Sequence, residues 1–132
     1  MRIFIFACCL CLLAACTGRG TLTTTHIEAV LGEDRYTPAQ WRIPGGQEIT
    51  LKLTNATPEE REWALFIDPP SDPLTAADES NLILKFSVPA NQSKTVTFTA
   101  PAAPGEYSVT STLPGQMKAG LLGTLTVVQP GY

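Results

Sequence analysis

Prolines and glycines interrupt this chain at short intervals from residue 32 onward, and the segments between them alternate apolar and polar side chains without a sustained helical period. Such punctuation leaves room only for short strands joined by turns. Glu48 to Asn55 is the clearest of these, with Ile49, Leu51 and Leu53 on one side of a half-buried strand. Further strands are expected over Ile27 to Leu31, Trp41 to Ile43, Trp63 to Ile67, Leu82 to Val88, Ser93 to Phe98, Glu106 to Thr112 and Leu122 to Val128. Tyr36-Thr37-Pro38 and Pro44-Gly45-Gly46-Gln47 read as turns, Thr57 to Glu62 as an acidic turn, and Asp68 to Ser80 as a loop with three prolines and four acids. The expected class is all-β: a Greek-key β-sandwich of seven or eight strands.

The N-terminus is organised differently. Met1-Arg2 supplies one basic charge, Ile3 to Leu13 an apolar run of eleven residues, and Ala14-Ala15 a small-residue site before Cys16. That order is expected to be a signal peptide over residues 1–15, because a bilayer-spanning helix needs about 20 apolar residues. Leu13-Ala14-Ala15-Cys16 resembles the lipobox of bacterial lipoproteins, which implies acylation of Cys16 and attachment to a membrane of the cell envelope. Thr17 stands where an Asp would imply retention at the inner membrane, so the resemblance points to the outer one. Residues 16–25 then form a lipidated cysteine and a Thr- and Gly-rich tether, and residues 26–132 the folded domain. Cys8, Cys9 and Cys11 fall within the signal peptide, so the mature domain is expected to hold together without a disulfide.

Charge narrows the function classes. Of nine Lys and Arg, Arg2 leaves with the signal peptide, and the remaining eight face twelve Asp and Glu, a formal charge of −4. No basic stripe is present, so a nucleic-acid partner is not expected. His26 is the lone histidine and has no nucleophile motif near it, and Ser111 lacks a Gly-x-Ser-x-Gly elbow. No catalytic residue is assigned, and the chain is not expected to be an enzyme.

Several segments resemble the cupredoxin family. Tyr36-Thr37-Pro38, Ile43-Pro44-Gly45-Gly46-Gln47 and Leu51-Lys52-Leu53-Thr54-Asn55 are similar to its N-terminal motifs. Pro104-Gly105-Glu106-Tyr107-Ser108-Val109, Leu113-Pro114-Gly115-Gln116 and Gly120-Leu121-Leu122-Gly123-Thr124-Leu125-Thr126-Val127 are similar to its ligand-carrying loop and last strand. The resemblance implies that Ser111 stands at the family's Cys ligand, Gln116 at a His and Leu121 at the axial Met, with the remaining His at or near Glu62. Blue copper needs a thiolate, two imidazoles and a weak axial thioether. A hydroxyl, an amide and an alkyl group replace them poorly, so no metal or other cofactor is expected.

Two readings follow. In the first, the domain is a binding module that docks an envelope protein through the former copper pole, displaying Trp63, Leu113, Pro114, Met117, Leu121 and Trp41; the alternative for these residues is that leucine and methionine seal the vacated pocket as core, with Trp63 inside by its place in an apolar strand. In the second, it handles copper at a non-standard site that combines Met117 with His26. The acids Glu59, Glu60 and Glu62 are expected to be a solvated surface paired with Arg61.

Overall fold

A computed structural model describes residues 23–130. The signal peptide, Cys16 and the first part of the tether lie outside the described residues.

Local alternation produces the strands, and pairing between distant segments assembles them. In β1 (His26–Leu31), Ile27, Ala29 and Leu31 turn inward; in β4 (Glu48–Asn55), Ile49, Leu51 and Leu53 do the same, and the two strands pair in parallel. With β2 (Tyr36–Thr37) and β7 (Ser93–Thr99) they form a sheet ordered β2-β1-β4-β7. The second sheet is ordered β3-β9-β8-β5-β6, from β3 (Gln40–Pro44), β5 (Arg61–Phe66), β6 (Leu82–Val88), β8 (Gly105–Thr110) and β9 (Leu122–Val128). The all-β sandwich is as expected, with nine strands among the described residues once the two-residue β2 is counted.

The core lies between the sheets and centres on Trp63, which is fully buried. Trp41 meets its ring edge-on at 5.7 Å and Phe98 lies at 5.8 Å, spacings at which aromatic pairs attract beyond simple burial. β5 is buried along its whole length because both of its faces are covered. Trp63 and Leu65 face the opposite sheet, while Phe66 on the other face borders a cavity of about 640 Å³ that it shares with Leu74, Thr75 and Asp78 of the 68–80 loop.

Two short helices interrupt segments expected to be irregular. In α1 (Ala76–Glu79), the Asp78 carboxylate accepts from Thr75 N at 2.7 Å, satisfying a helix-start donor. Asn81 closes the base of this loop, accepting from Asp68 N at 3.0 Å and donating to the Asp68 carbonyl at 2.7 Å. The second, α2 (Gln116–Ala119), is framed by Gly115 and Gly120, both at positive φ.

Candidate functional site

The ends of β4, β5 and β8 bring several loops to one pole of the sandwich. Asn55, 1% exposed, organises it. Its Nδ2 donates to the carbonyls of Glu59, Val88 and Pro89 at 2.7, 3.0 and 3.1 Å, and its Oδ1 accepts from Thr57 N and Thr57 Oγ1. One side chain thereby ties the 56–60 turn to the β6–β7 connection.

Ser111, just past β8, and Gln116, at the start of α2, are both buried there. The Ser111 hydroxyl donates to Gln116 Oε1 at 2.5 Å and accepts from Leu113 N at 3.2 Å, while Gln116 Nε2 donates to the Glu60 carbonyl at 2.7 Å. The Ser111 oxygen, Gln116 Oε1 and Gln116 Nε2 are thus each engaged within the protein. Leu121 is fully buried, and its carbonyl accepts from Thr110 Oγ1 at 2.7 Å. Ser111, Gln116 and Leu121 therefore gather at one end of the sandwich.

Glu62 does not join them in the interior. Its side chain lies on the other face of β5, where Oε1 accepts from Thr112 N at 2.8 Å and from Thr112 Oγ1. Its Oε2 accepts from Ser87 Oγ at 3.2 Å and lies 3.9 Å from Lys85 Nζ. The cause is the phase of the strand. β5 begins at Arg61, two residues before the expected start at Trp63, so Arg61 shares the inward face with Trp63 and Leu65. Arg61 is the β5 residue turned toward the pole's interior. The nearby acids also diverge: Glu59 pairs with Arg61 at 3.7 Å, Glu60 is exposed and Glu62 is buried. Above Glu62, Tyr36 donates its hydroxyl to the Glu62 carbonyl at 2.6 Å, and burial pushes this phenol's pKa up, with the Glu62 charge adding to the effect.

The expected docking surface needs correction. Trp63, Leu121 and Trp41 are 0%, 0% and 4% exposed and belong to the core, since the two indoles fill the space between the sheets. Leu113 and Met117 are half-buried and Pro114 is exposed. They line a shallow cleft of about 220 Å³ with Pro73 and Leu74. Leu74 carries no signal in the sequence because its loop has no strand period, and only folding of the 68–80 loop brings it to the pole.

His26 and Met117 do not converge. His26 opens β1 and pairs with Thr50, whereas the far end of β1, Leu31, pairs with Asn55 beside the pole. Five residues of strand place His26 about 17 Å from that end. Its Nδ1 lies 3.2 Å from Thr25 Oγ1 in an exposed position. A shared site on these two side chains is overturned by the direction of β1.

Comparison with known proteins agrees with this architecture. No family model matches the chain. Auracyanin-B of Chloroflexus aurantiacus is 36% identical over 87 residues, which cover 66% of this chain and 34% of that protein. The chain thus spans about a third of the length of this relative. The crystal structure of dithionite-reduced auracyanin from Roseiflexus castenholzii superimposes with a TM-score of 0.67 at 27% identity, over 81% of this chain and 99% of that one. Auracyanin A of Chloroflexus aurantiacus, described as a "blue" copper protein, gives a TM-score of 0.64 at 26% identity, over 78% and 98% of the two chains.

Proposed function

We propose that this chain, a cupredoxin-like domain protein, works in the cell envelope as a metal-free binding module rather than as an electron carrier. The observation that carries this reading is the Ser111–Gln116 hydrogen bond at the pole. Copper of the blue type is held by a thiolate and imidazoles. Here the corresponding positions offer a hydroxyl and an amide already bonded to each other, and Leu121 offers no lone pair. These residues do not fit the metal, although copper is named for auracyanin A. The proposed domains are residues 1–15 as a signal peptide, 16–25 as the lipidated Cys16 and tether, and 26–132 as the sandwich.

The geometry supports a particular presentation. The chain enters β1 at His26, the end away from Asn55 and the pole. An anchor at Cys16 would therefore hold the domain from below and turn the cleft of Leu74, Leu113, Pro114 and Met117 away from the membrane, toward an envelope protein partner. The outer membrane is the proposed location, on Thr17.

The test is copper retention by the membrane-extracted protein after loading and washing with a chelator. The expected result is no retained equivalent and no intense visible charge-transfer band. One tightly held equivalent would overturn the reading. Labelling with a fatty-acid probe, expected to be lost in Cys16→Ser, tests the anchor.

A further inference from the structure

Arg61 sits in an unusual position for a cation. Its side chain is 8% exposed, its Nε is buried without a hydrogen-bond partner, and its nearest carboxylate, that of Glu59, is 73% exposed and 3.7 Å away. Burying a charge with so little compensation is costly, and replacing such groups by apolar ones is often neutral or stabilising. The placement follows from β5: Arg61 lies on the strand face of Trp63 and Leu65, and the Glu60 carbonyl beside it receives the Gln116 amide. In the β5–β8 ladder Leu65 pairs with Val109, so continuing the register sets Trp63 abreast of Ser111 and Arg61 two residues further toward the pole.

We infer that Arg61, and not Glu62, occupies the β5 position at which a copper-holding relative would contribute its remaining ligand, so that a permanent guanidinium charge keeps metal cations out of this pole. This rests on the reading of Ser111, Gln116 and Leu121 as former ligand positions. It adds to it a mechanism of exclusion. Losing donors weakens a site, whereas a buried like charge also repels any cation that approaches it. Glu62 is not the residue facing the pole, because its carboxyl group is engaged by Thr112 and Ser87 on the opposite face of the strand.

Restoring donors to the full chain tests the assignment. In a Ser111→Cys, Gln116→His, Leu121→Met background, copper binding and the visible charge-transfer band are compared with Arg61 retained, with Arg61→His and with Glu62→His. Arg61→His should tighten copper binding roughly a hundredfold or more and bring up the band, by removing a charge and adding an imidazole. Glu62→His should do neither, and Arg61→Gln should give an intermediate gain of about tenfold through charge removal alone. Equal affinity with Arg61 retained and with Arg61→His, completion of the site by Glu62→His, or no copper in any background would overturn the inference.

Should the grafted chains fail to fold, the melting temperature of single variants decides. Arg61→Met should match or exceed the unmodified chain, and a loss as large as that of Glu62→Ala would mark Arg61 as a structural ion-pair residue and sink the idea. Copper retained by the unmodified chain would instead refute the metal-free reading itself.

Discussion

Ser111 and Gln116 are joined side chain to side chain, the serine hydroxyl donating to Gln116 Oε1 across 2.5 Å while the glutamine amide reaches the Glu60 carbonyl. This link fastens the loop after β8 to the turn before β5, and each partner is buried. Gln116→Ala removes both bonds and leaves the Glu60 carbonyl without that donor, so it should cost about 1–3 kcal/mol. Ser111→Ala should cost less, and the double variant should lose less than the sum, by about 1 kcal/mol of coupling. Chemical denaturation checks the energies. Faster amide exchange over residues 113–121 in Gln116→Ala would locate the loosening.

Glu62 stabilises by a different route, across fifty positions of sequence, through its contacts with Thr112. Glu62→Gln keeps the shape and one acceptor, whereas Glu62→Ala strands Thr112 N in a half-buried site. The expected losses are about 1 and about 3 kcal/mol in that order, because hydrogen bonds to charged groups exceed neutral ones and orphaned donors cost more than either. Equal losses in urea unfolding would show that the carboxylate is dispensable.

Asn55 gathers three carbonyls and two donors of Thr57 at a fully enclosed point. Asn55→Ala should lower stability by about 2–4 kcal/mol, more than a surface polar substitution, since several buried groups lose their partner together. Asn55→Asp should be worse, because it sets a carboxylate against the carbonyls of Glu59, Val88 and Pro89. Thermal melts of the two variants test that order.

Gly120 has φ of +121°, and a Cβ built on it would stand 2.2 Å from the Asp34 carbonyl oxygen. Both the conformation and the space exclude a side chain. Gly120→Ala should therefore cost at least about 2 kcal/mol and displace the 32–35 turn from the end of α2. Gly46, also at positive φ but with open space around it, should tolerate alanine better. Paired melting curves give the comparison.

Asp78 predicts a pH effect. Hydrogen bonds, foremost from Thr75 N and then from Ser71 N and Thr75 Oγ1, hold its carboxyl below the usual aspartate range against the opposing pull of burial. A group whose folded pKa is lowered stabilises above its unfolded value, about 3.9 for aspartate, and loses that contribution as pH falls through the folded value. The melting-temperature gap between the unmodified chain and Asp78→Asn should thus be constant near neutral pH and shrink below about pH 4. A gap unchanged down to pH 2 would show that ionisation of Asp78 does not matter.

Much of the architecture could be read directly. The alternation of Ile49, Leu51 and Leu53 determines a strand and its inward face, whereas it is the resemblance to the cupredoxin family that implies one pole for Ser111, Gln116 and Leu121. The resemblance implies a β5 position at or near Glu62, and the acidic run before Trp63 reads as a turn, so the strand phase that turns Glu62 outward is not legible there. The signal for Arg61 was present: counting back by two from an inward Trp63 reaches Arg61 and passes over Glu62.

Side-chain periodicity is a local property, so sequence alone determined strand character, turn positions and the donor chemistry available at residues 111, 116 and 121. Where each strand begins depends on partners far along the chain: β5 extends to Arg61 because Val88 of β6 pairs with it there. The tertiary structure alone decided that Trp41 and Leu121 fill the core, that Leu74 arrives beside Met117, and that β1 carries His26 to the opposite end. Burial and proximity are sums over distant segments, and no local pattern contains them.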